Sequence, residues 1–110
     1  WGASPIYLLG KYYLGVKPVK EGYKEFSIAP ALGGLKWMEG IVPTPNGDIQ
    51  VYMDNKTIKV KATEGKGYLT IRSRRQPKTT IGKMEKVSEN TWRLWIDSPE
   101  ERVISYFNSI

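Results

Sequence analysis

The stretch GDIQVYMDNKTIKVKA, residues 47–62, decides the fold class because its apolar residues recur at every second position. Side chains of a β-strand point alternately to opposite faces, so this period predicts two strands that each bury one face. The Asp54-Asn55 pair between the two runs is a turn signal, because short Asx side chains suit turns. We therefore predict two consecutive strands joined at these residues.

The same period-two alternation extends on both sides of this stretch, from residue 23 onward. It is clear in the segments 25–28, 69–72 and 92–97, and less regular in the segments 35–43, 79–87 and 102–107. Turn signals rich in Gly, Asn, Asp and Pro separate these segments. About eight short strands at such spacing predict an all-β fold, either an antiparallel β-sandwich or a barrel, and we adopt the sandwich.

One segment, SPIYLLGKYYL at 4–14, predicts a single N-terminal helix instead. Ser4 suits the N-cap and Pro5 the first helical position, while Gly15 suits the residue after the last turn. The segment carries only one charge, Lys11, and so lacks the polar face of a surface helix. We expect this helix to pack on a domain that precedes the chain. A helix that lies on one sheet with its tyrosines half-exposed stays open as an alternative.

The composition excludes several kinds of chemistry. The chain has 110 residues, the size of one domain, and contains neither cysteine nor histidine. Disulfides, thiolate nucleophiles, Ser-His-Asp triads and the usual zinc sites are therefore excluded within this chain. We expect no cofactor and no metal. No run of about 20 apolar residues occurs, so we expect no membrane span.

Positive charge is concentrated in one part of the chain. The net charge is +6, and residues 56–86 hold ten basic side chains against two acidic ones. A basic sheet near Tyr68 could bind single-stranded nucleic acid through phosphate contacts and base stacking. However, Lys59 and Lys61 occupy the outward positions of an amphipathic strand, and no RNA-recognition motif is present. We interpret the basic residues as a solvated face and expect no nucleic-acid partner.

The aromatic residues suggest carbohydrate binding as a second possible function, since four Trp and seven Tyr are many for this length. Aromatic rings pack on the C–H-rich faces of sugars, beside amides and carboxylates that form hydrogen bonds. Trp37 and Trp92 lie on apolar strand faces, so we predict that they pack in the core. The candidates for an exposed sugar-binding surface are Trp1, Trp95, Tyr52 and Tyr106.

Paired carboxylates are the remaining catalytic option, because a glycosidase holds two of them about 5–9.5 Å apart. Most candidates lie at turns or strand ends, where acidic side chains usually face solvent: Asp48, Asp54, Asp97, Glu100 and Glu101. Glu39 shares the alternation of Trp37 and Ile41, and a β-bulge at Gly40 would turn it back to solvent. No pair stands out, so we predict no catalytic residue in this chain.

Two long segments carry motifs in an order that resembles the end of bacterial α-L-rhamnosidases. The first is WGASPIYLL…YYLGVKP at 1–18, a helix closing on LGVKP. The second is GYKEFSIAPALGGLKWMEGIVPTPNGDIQV at 22–51, which contains G-G-L-K-W-x-x-G followed by V-P-T-P-x-G-D-I. The resemblance covers roughly the first half of the chain, and residues 52–110 add only a compatible strand pattern.

The resemblance implies a parent enzyme whose (α/α)6 barrel holds the active site and precedes a C-terminal β-sandwich. Residues 1–18 would be the last barrel helix and residues 19–110 the sandwich. Such enzymes release terminal α-L-rhamnose by inverting hydrolysis, with catalytic acids that would lie upstream of Trp1. We therefore expect this fragment to be structural and inactive alone, with Trp1 as its one residue near the sugar pocket.

The resemblance also implies the partners. They would be the rest of the parent chain, and a rhamnosylated glycan or glycoside bound by the parent. For location, it favours the periplasm or secretion over the cytoplasm. The alternative interpretation is a free-standing carbohydrate-binding module.

Overall fold

The computed structural model describes residues 15–18, 25–32, 35–44 and 47–107. These residues form ten β-strands in chain order, with turns and bends between them. The strands are β1 Val16–Pro18, β2 Glu25–Ile28, β3 Trp37–Thr44, β4 Gly47–Asp54, β5 Thr57–Ala62, β6 Lys66–Arg72, β7 Lys78–Thr79, β8 Glu85–Ser88, β9 Thr91–Ile96 and β10 Arg102–Ser105. The helix predicted at 4–14 and Trp1 lie outside the described residues.

The strands form two five-stranded sheets that pack as a sandwich. The first sheet has the order β1-β2-β6-β9-β8, and the second has the order β3-β4-β5-β10-β7. All neighbouring strands are antiparallel except β2 and β6, which run parallel. The predicted all-β sandwich is confirmed. The strand number exceeds the expected eight because β1 is added and the segment 79–87 contains parts of two short strands.

The N-terminal boundary differs from the one expected from sequence. Val16–Pro18, which we assigned to the helical unit, pairs with β2 and belongs to the first sheet. Gly15 has the left-handed backbone predicted for it, with a φ of 64°. Its carbonyl accepts a hydrogen bond of 3.1 Å from the backbone N–H of Ala29. The described residues 15–18 therefore belong to the sandwich.

The alternating residues form the core, as predicted from their period. The inward side chains of β2, β4, β5, β6 and β9 are buried between the two sheets. They include Phe26, Ile28, Ile49, Val51, Met53, Ile58, Val60, Ala62, Leu69, Ile71, Leu94 and Ile96. Burial of this apolar surface is the main force that holds the sheets together.

Strand β3 has the opposite orientation from the one predicted. Trp37 is 62% exposed and Ile41 is 49% exposed, whereas Met38 and Gly40 are buried. The pairing with β4 runs without a break from Trp37 to Thr44, so no bulge occurs at Gly40. Directly opposed residues point to the same face of a sheet. Because the inward side chains of β4 lie opposite Met38 and Gly40, the core position predicted for Trp37 is wrong.

Candidate functional site

The outer face of the second sheet carries a pair of aromatic rings, which we call the aromatic platform. It consists of Trp37 on β3 and Tyr52 on β4, whose ring centroids are 6.5 Å apart with an angle of 24° between the ring planes. The Nζ atom of Lys59 on β5 lies 5.4 Å from the Tyr52 centroid, within the range of a cation–π contact. Three adjacent strands thus bring these side chains together.

Strand register explains why these residues meet. Tyr52 is directly opposite Glu39 on β3 and Lys59 on β5. Trp37 lies two positions before Glu39 on the same strand, so it is the diagonal neighbour of Tyr52. Diagonal neighbours on one face of a sheet lie within reach of aromatic side chains.

A hydrogen bond to Asp54 holds the Tyr52 ring in place. The Tyr52 hydroxyl donates to Oδ2 of Asp54 at 2.9 Å. Oδ1 of Asp54 accepts from the backbone N–H groups of Lys56 at 2.8 Å and Thr57 at 2.6 Å. This is the Asx-type geometry expected of the predicted turn. The platform is therefore anchored to the β4–β5 turn.

The same contacts shift two pKa values. Burial alone would raise the pKa of Asp54, but hydrogen bonds from Lys56, Tyr52 and Thr57 stabilise the carboxylate and leave its pKa below the ordinary value of 3.8. The pKa of Tyr52 is raised, first because its hydroxyl donates to Asp54 and then by desolvation and the charges of Asp54 and Glu39. Near neutral pH, Tyr52 is therefore a protonated donor and Asp54 an ionised acceptor.

An open groove of about 400 Å³ adjoins the platform. Its lining mixes apolar side chains, hydrogen-bond donors and carboxylates: Glu39, Gly40, Ile41, Gln50, Val51, Tyr52, Lys59 and Glu101. Glu39 and Glu101 are the acidic residues that this groove brings together, and both are exposed. Sequence reasoning considered both residues separately but did not predict their proximity, since Glu101 lies next to β10 and far along the chain.

The aromatic residues proposed from sequence for a sugar-binding surface do not form one cluster. Tyr52 lies on the platform and is half-buried, but Tyr106 is buried and 5% exposed. Trp95 lies on the first sheet, where its ring meets Tyr68 edge-on at 4.8 Å. Trp1 lies outside the described residues. Trp92 packs against the core as predicted, and its Nε1 donates to the Ser73 carbonyl at 3.2 Å.

Two of the other carboxylates proposed from sequence have structural contacts. Asp54 caps its turn, and Asp97 lies 3.6 Å from the guanidinium of buried Arg102. Arg102 also donates to the carbonyls of Ser98 and Glu100 at 3.1 and 3.0 Å, which closes the loop before β10.

The basic residues of 56–86 do not share one surface. Lys59 and Lys61 project from the outer face of the second sheet, as predicted for an amphipathic strand. Lys66 and Arg72 project from the outer face of the first sheet, on the opposite side of the sandwich. Nucleic-acid binding would need phosphate contacts along one continuous basic face.

Two kinds of feature are absent from the described residues. Within them, no group of acidic residues is arranged to hold a metal ion. That part of the chain also contains no helix with the length and apolar character needed to cross a membrane.

The fold and the site together define an all-β sandwich domain with an open groove on the outer face of its second sheet, partly lined by Tyr52. Residues 15–64, which span β1 to β5, match the family model described as bacterial alpha-L-rhamnosidase C-terminal domain. This match confirms the resemblance to a bacterial α-L-rhamnosidase C-terminal domain that was seen in the sequence.

A solved structure shares this fold. It is the crystal structure of Streptomyces avermitilis alpha-L-rhamnosidase complexed with L-rhamnose, with a TM-score of 0.73 and 13% sequence identity. The match covers 88% of this chain and 10% of the Streptomyces chain, so our chain spans about a tenth of that enzyme's length. No curated protein matches the sequence.

Proposed function

We propose that this chain is the C-terminal end of a glycoside hydrolase that releases terminal α-L-rhamnose by inverting hydrolysis. The observation that carries the proposal is the family match over residues 15–64. In this proposal the catalytic acids lie in a helical barrel upstream of Trp1, and the helix predicted at 4–14, within the unit 1–18, is the last helix of that barrel. The substrate is a rhamnosylated glycan or glycoside, and the sandwich's partner is the rest of the parent chain.

The sandwich has no catalytic role in this proposal. A glycosidase holds its two carboxyl groups on either side of the bond that it cleaves. Glu39 and Glu101 instead lie exposed along an open groove. We propose that the domain is structural and covers the barrel's last helix, while Trp1 borders the sugar pocket.

Hydrolysis of an aryl α-L-rhamnoside tests the proposal in the full-length protein and in the 110-residue chain. We expect turnover by the full-length protein only, with β-L-rhamnose as the first product by NMR. A Trp1→Ala variant of the full-length protein is expected to raise KM. Turnover by the isolated chain would overturn the structural role. A full-length protein that hydrolyses an aryl β-glucoside instead would overturn the substrate.

A further inference from the structure

We propose that the aromatic platform and its groove form a binding site for a neutral pyranoside within a glycan. This site lies on the outer face of the second sheet of the sandwich. The proposal stands independently of the proposed hydrolysis, since it requires binding only.

The first argument is the exposure of an indole ring on a rigid sheet. Trp37 is 62% exposed, and Leu35 and Ile41, near it in the sequence, are 41% and 49% exposed. Exposed large apolar side chains on one face of a sheet can mark a binding surface. Because Tyr52 is anchored to Asp54, the neighbouring ring is already ordered before any ligand arrives. Preorganisation lowers the entropic cost of binding.

The second argument is the chemistry of the groove beside the rings. Tyr52 lines the groove, and Trp37 lies beside it through the ring contact with Tyr52. Aromatic rings supply apolar faces of the kind that pack against sugar C–H groups. Gln50 and Lys59 supply hydrogen-bond donors, while Glu39 and Glu101 supply acceptors. A pyranose needs both, because its ring faces are apolar and its hydroxyls donate and accept. The volume of about 400 Å³ falls within the usual range of small-molecule sites.

The third argument excludes other ligand classes. The groove has two acidic side chains and one basic side chain, so it repels a phosphate backbone. An apolar protein surface packed over the groove would desolvate Glu39, Lys59 and Glu101, which is costly unless each charge is paired. A neutral polyhydroxylated ligand avoids both penalties.

The test is an NMR titration of the 15N-labelled chain with methyl α-L-rhamnoside and with cellohexaose, and with single-stranded RNA as an anionic probe. We expect saturable shifts of the Trp37 indole N–H with at least one sugar, and a Kd on the order of millimolar. Trp37→Ala should weaken binding by about tenfold or more, since it removes half of the platform. The matched control, Trp95→Ala on the opposite face, should change affinity by less than about twofold.

Several outcomes would overturn the proposal. These are no saturation with either sugar at about 50 mM, wild-type affinity in Trp37→Ala, or shifts with RNA alone. If Trp37→Ala does not fold, the sugar affinity of Gln50→Ala is measured instead, because Gln50 lines the groove. A sugar affinity unchanged by Gln50→Ala would overturn the site. Protection of the Trp37 indole from acrylamide quenching in the full-length protein, without sugar binding, would show a protein interface instead.

Discussion

Asp54 is the residue on which the β4–β5 turn and the platform both depend. Its carboxylate accepts three hydrogen bonds, from Tyr52, Lys56 and Thr57. Its backbone carbonyl also accepts a hydrogen bond from the hydroxyl of Tyr106. One residue therefore joins the turn, the aromatic platform and the C-terminal segment.

Asp54→Ala should lower the free energy of unfolding by about 1–3 kcal/mol at pH 7, because the three donors lose their acceptor.

Acid should also lower the free energy of unfolding, because it protonates the Asp54 carboxylate. Since folding lowers the pKa of Asp54, its contribution is complete above about pH 4 and is lost as the pH falls through the lower folded value. Urea unfolding between pH 7 and pH 2 measures both effects. The control is Asp48→Ala on the same exposed face, and an equal loss there would contradict the explanation.

At the scale of the element, β6 shows that one glycine of a turn signal can serve close strand packing instead. In the run Gly65-Lys66-Gly67, Gly65 lies in the connection after β5 with a φ of 87°, whereas β6 begins at Lys66 and includes Gly67. Gly67 lies opposite Phe26 in the parallel pair, and a Cβ atom there would lie 2.0 Å from the Phe26 carbonyl oxygen. Glycine at this position thus allows β2 to approach β6 rather than making a turn.

Gly67→Ala should destabilise the domain by about 1–3 kcal/mol or more, because backbone atoms of β2 would have to move. Thermal unfolding followed by circular dichroism measures the loss. Lys66→Ala is the matched control on the same strand, since Lys66 is exposed and should change stability by less than about 0.5 kcal/mol. A stable Gly67→Ala variant would show that the two strands are not held this closely.

At the scale of the whole molecule, the segment after β10, Tyr106 and Phe107, forms hydrogen bonds with distant parts of the chain. The backbone N–H of Tyr106 donates to the Lys56 carbonyl at 3.1 Å. The backbone N–H of Phe107 donates to the hydroxyl of buried Ser73 at 2.9 Å. The backbone N–H of Arg74 donates to the Phe107 carbonyl at 2.9 Å. These contacts stabilise the end of the sandwich after β10.

Alkaline pH should lower the free energy of unfolding through the ionisation of Tyr106. Burial, together with the charge of Asp54, raises the pKa of Tyr106 from 10.0 to about 12. The unfolded chain therefore releases this proton first, so stability is complete below about pH 10 and falls as the pH rises towards 12. Tyr106→Phe should cost about 1–2 kcal/mol at pH 7 through the lost hydrogen bond, and it should reduce this alkaline loss. Urea unfolding at pH 7 and pH 11 measures both, and an alkaline loss unchanged in the variant would contradict the assignment.

The alternation by itself determined much of the fold. Ile49, Val51 and Met53 point inward because a strand has a period of two, and that period is local to the strand. The turn at Asp54 was equally readable, because an Asx side chain bonds to its own neighbouring backbone. The motifs of residues 22–51 likewise indicated the family, because their order and spacing can be read along the chain alone.

Only the tertiary structure decided which apolar residues of β3 face outward and which side chains share the groove. Trp37 and Ile41 alternate with a period of two, just as the buried residues of the other strands do. Only the register of β3 against β4 shows that these two side chains face the surface. Glu101 joins Glu39 because β10 pairs with β5, a contact between segments far apart in sequence. Periodicity describes one strand at a time, whereas the choice of face and the composition of a site depend on pairing between strands.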